Sequence, residues 1–93
     1  MYAMVRTYSV APDLAERLVG HGDDVKSLIS GIDGFRAYYL LKTADGAASV
    51  SVFDDEAGAS ESTRAAGAWV AENLPDHAGT APQVTAGEVV ITF

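Results

Sequence analysis

Six side chains in this sequence carry the chemistry needed to hold or transform a small molecule. Arg6 is a permanent cation, and Tyr8 follows two residues later, so the parity of an extended strand puts both on one face. His21 lies between Gly20 and Gly22, and an imidazole that titrates near neutrality is a candidate general base. Tyr38, Tyr39 and Trp69 could sandwich or hydrogen-bond an aromatic ring. Each has a structural alternative. Arg6 could pair with Glu88 on a neighbouring strand, His21 could be a solvated residue at a helix kink, and Trp69 could be core. Tyr38 and Tyr39 are adjacent and point to opposite faces, so at most one of them lines any given pocket.

The elements that must position these groups follow from the punctuation of the chain. Tyr2 to Val10 is rich in Tyr, Val and Thr and ends at Ala11-Pro12, which reads as a first strand. Pro12 suits the first turn of a helix, with Asp13 and Glu16 near its positive end. Leu14, Leu18, Val25, Leu28 and Ile29 recur at helical spacing, and Gly20 and Gly22 predict a break near His21. Phe35 to Lys42 is a second strand, Ala44-Asp45-Gly46 a hairpin turn, and Ala47 to Asp54 a third strand. Valines 50 and 52 fall on one side of that third strand, with Ser49, Ser51 and Phe53 on the other. Asp54 or Asp55 can cap a second helix that stops before Pro75 and carries Ser62, Ala65, Ala66, Trp69 and Val70 on one side. A polar loop from Pro75 to Gln83, holding His77, leads to a last strand over Val84 to Phe93.

Composition bounds the function. Ninety-three residues allow a single domain, 1–93. Six basic against thirteen acidic residues give a formal charge of −7, which repels phosphate backbones and argues against nucleic acid. There is no cysteine, so disulfides, thiolate chemistry and cysteine-rich zinc sites are excluded. Two distant histidines make no metal site, and no glycine-rich phosphate loop or Gly-x-Ser-x-Gly elbow is present. No apolar run approaches the roughly 20 residues of a membrane span. The opening residues lack a signal-peptide pattern, so a cytoplasmic location is expected.

Strand, helix, strand, strand, helix, strand is the βαββαβ order of an α+β, ferredoxin-like fold: a four-stranded antiparallel sheet with two helices on one face. The helices can cover one face only, yet the strands are apolar on both. Phe35, Tyr39 and Leu41 point one way, Tyr38 and Leu40 the other, and Val90 opposes Val89, Ile91 and Phe93. A wet face should be polar, so a second copy of the sheet is the expected cover and a homodimer the expected assembly.

The run Gly34-Phe35-Arg36-Ala37-Tyr38-Tyr39-Leu40-Leu41, then Ser49-Val50-Ser51-Val52-Phe53 and an acidic helix start, resembles the antibiotic biosynthesis monooxygenase family. So does Trp69-Val70-Ala71-Glu72-Asn73-Leu74 followed by a Gly-Glu-Val-Val strand. The resemblance implies a dimeric α/β barrel with a pocket between each sheet and its own helices. Some members are cofactor-free oxygenases of aromatic polyketides, some degrade haem, and many have no assigned substrate. The haem branch carries an Asn on the first strand, plus a Trp and a haem-ligating His on the second helix. Here the first strand offers Arg6, Thr7 and Tyr8, and the one His after Trp69 is His77, beyond Pro75. The oxygenase branch needs no bound cofactor, but an electron-rich phenolate or enolate must itself reduce oxygen. No catalytic role is carried over from that branch; read from the residues themselves, Arg6 could stabilise the anion, His21 act as base, and Tyr8, Trp69 and one of Tyr38 and Tyr39 line the surface that holds the ring. A non-catalytic homodimer that binds a small molecule or assists a pathway enzyme is the alternative that the same fold allows.

Overall fold

A computed structural model of the chain describes residues 1–9, 13–77 and 82–93. Its strands are β1 (Tyr2–Tyr8), β2 (Phe35–Lys42), β3 (Ala47–Phe53) and β4 (Gln83–Glu88). Its helices are α1 (Leu14–Gly20), α2 (Gly22–Ser30) and α3 (Glu56–Asn73), with a 3-10 turn over Pro75–His77. The sheet order is β2-β3-β1-β4 and every neighbouring pair is antiparallel. Strands β1 and β2 are thus parallel with β3 between them, and β3 and β4 are parallel with β1 between them. These are the two split βαβ units of the ferredoxin-like fold. The Pro12 helix start, and the part of the polar loop holding Gly79, lie outside the described residues.

The expected first helix is two helices broken at His21. The backbone N–H of His21 still closes on Leu18, and the His21 carbonyl already accepts from Val25, so the chain turns without losing a bond. Neither flanking glycine is there for space: a Cβ at Gly20 or Gly22 would meet nothing. They act through weak helix propensity. Asp55 caps α3, its side chain accepting from the Gly58 N–H at 3.2 Å. Gly34, at φ 84, turns the chain into β2, and its carbonyl accepts from Asp54 at 2.8 Å.

Two features of the sheet depart from the sequence expectation. A β-bulge between Phe35 and Ala37 shifts the parity of β2. Phe35 therefore joins Tyr38 and Leu40 on the helix side, where its ring meets Phe53 edge-on at 6.0 Å, and does not share a face with Tyr39 and Leu41. The last strand also stops at Glu88, short of Phe93. Glu88 lies opposite Tyr2, the first residue of β1, and the pairing ends in one bond from the Val89 N–H to the Met1 carbonyl. Val90, Ile91 and Phe93 run on exposed, so they form no opposing faces of a strand.

The helices pack on β1, β2 and β3 and leave β4 bare. Beneath them lie two clusters. One joins Met4, Ile29, Phe53 and Ala59; the other joins Leu14, Ala15, Ala47 and Leu74. The opposite face carries Val5, Val50, Val52, Ala37, Tyr39 and Leu41 and meets no other part of the described chain. Among the described residues no helix is long and apolar enough to cross a membrane.

Candidate functional site

Between the two clusters the helix side of the sheet turns polar. Arg6 on β1 is 3% exposed, and Ser49 and Ser51 on the adjacent β3 are buried with it. Register puts Arg6 directly across from Ser49, and Ser49 across from Leu40 on β2. A guanidinium in this setting must be hydrogen-bonded or cost several kcal/mol. Its Nη2 donates to the hydroxyls of Ser62 at 2.9 Å and Thr63 at 2.8 Å, neighbours on α3. Arg6 therefore does not pair with Glu88, which lies at the far end of β4 opposite Tyr2.

Arg6 forms one wall of an enclosed cavity of about 50 Å³, counted as room for the centres of water-sized spheres. Tyr8, Tyr38, Ser49 and Trp69 share its lining with aliphatic side chains of α1 and α2. Leu18, Val25, Ile29, Tyr38 and Leu40 also wall an adjoining, more open cleft of about 490 Å³ between α2 and β2. The two spaces share these five residues as walls; Arg6, Tyr8 and Ser49 line the first alone, in a lining that is otherwise mostly apolar.

The electrostatics of the cavity are those of a cation among neutral hydroxyls. Burial lowers the Arg6 pKa, and the nearby phenols of Tyr8 and Tyr38 act in the other direction. Burial raises the Tyr8 pKa against the opposing pull of Arg6. Tyr38 is also raised, first by burial and then by Tyr8, while Arg6 and a hydrogen bond with Ser49 act against the shift. Both phenols are therefore neutral donors at physiological pH. Among the described residues no Asp, Glu or His lines the cavity.

Of the six candidate residues, the structure gathers Arg6, Tyr8, Tyr38 and Trp69 around this space. Tyr39 is corrected: it points to the opposite face of the sheet and is 63% exposed, as the parity of β2 requires. His21 is outside the cavity as well. Its ring stands edge-on behind Trp69 at 5.3 Å, and its Nδ1 lies 3.5 Å from Asp24. Sitting at the break between α1 and α2, it packs against the indole and borders a separate, open surface cleft with Val19, Asp23 and Asp24. Trp69 is both core and wall, packing against the Leu14 cluster while lining the cavity. Ser62 and Thr63, which hold Arg6, were not singled out from sequence. The available signal was a hydroxyl within the small-residue stripe of α3, at Ser62.

No family model matches the sequence, and no curated protein does. Solved structures do. The NE2512 protein of unknown function from Nitrosomonas europaea superposes with a TM-score of 0.71 at 20% identity, over 99% of this chain and 90% of that one. SnoaB, a cofactor-independent oxygenase from Streptomyces nogalater, gives 0.66 at 12% identity over 98% and 94% of the two chains. The haem-degrader MhuD from Mycobacterium tuberculosis, solved with two haems in its active site, gives 0.60 at 16% over 100% and 99%. The fold is that of the antibiotic biosynthesis monooxygenases.

The haem-ligating histidine that the resemblance implies for the second helix is not present on α3. His21 packs against Trp69 and lies 3.5 Å from Asp24, outside the Arg6 cavity. Tyr8 and Tyr38 are the side chains in that lining of a type that can ligate a haem iron. Among the described residues no three His, Asp or Glu side chains come together as a metal site.

Proposed function

We propose that the chain is a homodimeric, cofactor-independent monooxygenase of the antibiotic biosynthesis type, acting on a small aromatic molecule at the Arg6 cavity. The observation that supports this is the convergence of one buried cation, two neutral phenols and an indole on a single enclosed space between sheet and helices. The cation would stabilise a phenolate or enolate, which is electron-rich enough to reduce oxygen directly. The phenols would donate hydrogen bonds, and the aliphatic wall would keep water from the intermediate. A carbon–oxygen bond forms between the ring carbon and O2, and the peroxide takes up a proton. Loss of the proton on that carbon then breaks the O–O bond, leaving a carbonyl on the ring and releasing water. The second copy would cover the apolar face that carries Val50 and Val52.

Oxygen uptake with a panel of quinols and hydroxylated naphthacenes tests this reading. Consumption of one O2 per product, with one atom of O2 incorporated and no hydrogen peroxide released, supports it; no uptake with any member removes the oxygenase step. One observation favours a second reading, a homodimer that binds an aromatic molecule without turning it over. No group in the lining titrates near neutrality, so nothing there can take a proton from a neutral substrate at useful rate.

A further inference from the structure

Arg6 is a charge without a counter-charge. In a chain with thirteen acidic and six basic residues, no carboxylate among the described residues lines the cavity or the adjoining cleft. Among the described residues Arg6 makes no ion pair, although four of the other five basic side chains do: Arg17, Arg36, Lys42 and Arg64. The exception, Lys26, stands on the wall of the cleft. The two hydrogens of Nη2 are used on Ser62 and Thr63. The other three donors of the guanidinium find no protein acceptor among the described residues. An unpaired cation this deeply buried is unfavourable in the empty protein and becomes favourable only when an anion arrives.

We propose that the ligand of this cavity is an aromatic acid that is already ionised when it enters, its anionic oxygen on Arg6 and its ring in the cleft between α2 and β2. The inference rests on the reading of this cavity as the ligand site, whether or not turnover follows. Three features carry it. The cavity is narrow, with about 50 Å³ open to the centres of water-sized spheres, which suits an anionic head group better than a fused ring system. The ring must then extend outward past Tyr38 and Leu40, which the two spaces share, into an apolar cleft open enough to take it. And since the lining holds no base, the site cannot create the anion. It can only select one. Weakly acidic phenols, neutral at physiological pH, would be poor ligands; carboxylates and strongly acidic phenols would be good ones.

The chain has a single tryptophan, Trp69, in the cavity wall, so its fluorescence reports on occupancy directly. The full chain is titrated with benzoate and benzamide, and with para-nitrophenolate and nitrobenzene, with calorimetry alongside to exclude inner-filter artefacts. Each anion is expected to bind about tenfold or more tighter than its neutral partner, the value of a hydrogen bond to a charged group. Benzoate affinity should fall as pH drops through the carboxyl value of about 4. In Arg6→Met, checked by circular dichroism for an unchanged fold, the preference should vanish. The wild-type comparison stands if that variant does not fold. Equal affinity for charged and neutral partners, no binding of either anion, or a preference that survives in folded Arg6→Met would each overturn the proposal. Oxygen uptake is read separately: acid binding without uptake sinks the oxygenase reading and leaves this one standing. Uptake from neutral quinols without acid preference does the reverse.

Discussion

The two faces of this sheet are built the wrong way round for a protomer in water. The face sheltered by helices carries Arg6, Tyr8, Ser49 and Ser51 along its central strands, while the face with no cover carries Val5, Val50 and Val52. In the middle of β3 buried Ser49 and Ser51 alternate with part-exposed Val50 and Val52, while the sheltered positions at its ends are the apolar Ala47 and Phe53. An antiparallel sheet with one solvated face shows the opposite pattern. On the proposed reading polarity follows what each face meets: the sheltered side keeps a cation and hydroxyls for a ligand, and the open side, whose Thr7, Gln83 and Thr85 lie on β1 and β4, offers its valines to a second copy.

The most direct way to break the comparison is to charge the open side. Val50 sits at the centre of that face, opposite Val5 on one neighbour and Tyr39 on the other. Val50→Asp would bury a carboxylate in a two-fold interface twice over, at several kcal/mol for each unpaired charge. We expect sedimentation at micromolar concentration to shift from dimer to monomer, with the Trp69 response to ligand retained in the protomer. A wild-type chain that sediments as a monomer would show that the valines face water, and the argument for a partner would fail.

The sheltered side can be tested by two substitutions of opposite sign at one contact. Ser62→Ala removes an acceptor from Arg6 and leaves a buried charged donor unsatisfied, a loss of about 1–3 kcal/mol. Arg6→Met removes the charge itself and fills the space with an apolar chain. Such replacements of buried charges are neutral or stabilising by about 1 kcal/mol or more. Urea midpoints of the two variants should therefore move apart. If both fall together, Arg6 is a structural tie between β1 and α3 and not a site kept charged for a ligand.

How much of this was legible beforehand divides along the same lines. Element order, the helix break at His21 and the Asp55 cap are written in local punctuation by Gly, Pro and Asp, and need no tertiary contact. Strand parity placed Arg6 with Tyr8 and separated Tyr38 from Tyr39 for the same reason. What was missed depends on pairing. The β2 bulge that turns Phe35 inward, and the end of β4 at Glu88, are set by the register and length of the neighbouring strand. The bonds from Arg6 to Ser62 and Thr63 span 56 and 57 residues, and no periodicity within α3 announces them. For His21 the residue type suggested a base, and only the fold shows its ring against Trp69 and outside the lining of the Arg6 cavity.

Helix α3 roofs the sheltered side, and two of its glycines separate the end that is packed solid from the end that is not. At Gly58 a Cβ would come within 2.9 Å of the Asp33 carbonyl and 3.0 Å of the Phe53 ring. Those neighbours are backbone and a fully buried side chain, so Gly58→Ala should cost about 1–3 kcal/mol by forcing helix and sheet apart. Gly67, nine residues on and exposed, meets nothing within 4 Å. There the same substitution changes only backbone freedom and helix propensity, so Gly67→Ala should stabilise by up to about 1 kcal/mol. Thermal or urea unfolding of the pair reads both signs. Because Gly67 faces away from the cavity, its alanine variant should also bind aromatic acids as the parent does. A change in affinity there would mean that α3 must flex to admit a ligand, and that the cavity is larger when occupied than when empty.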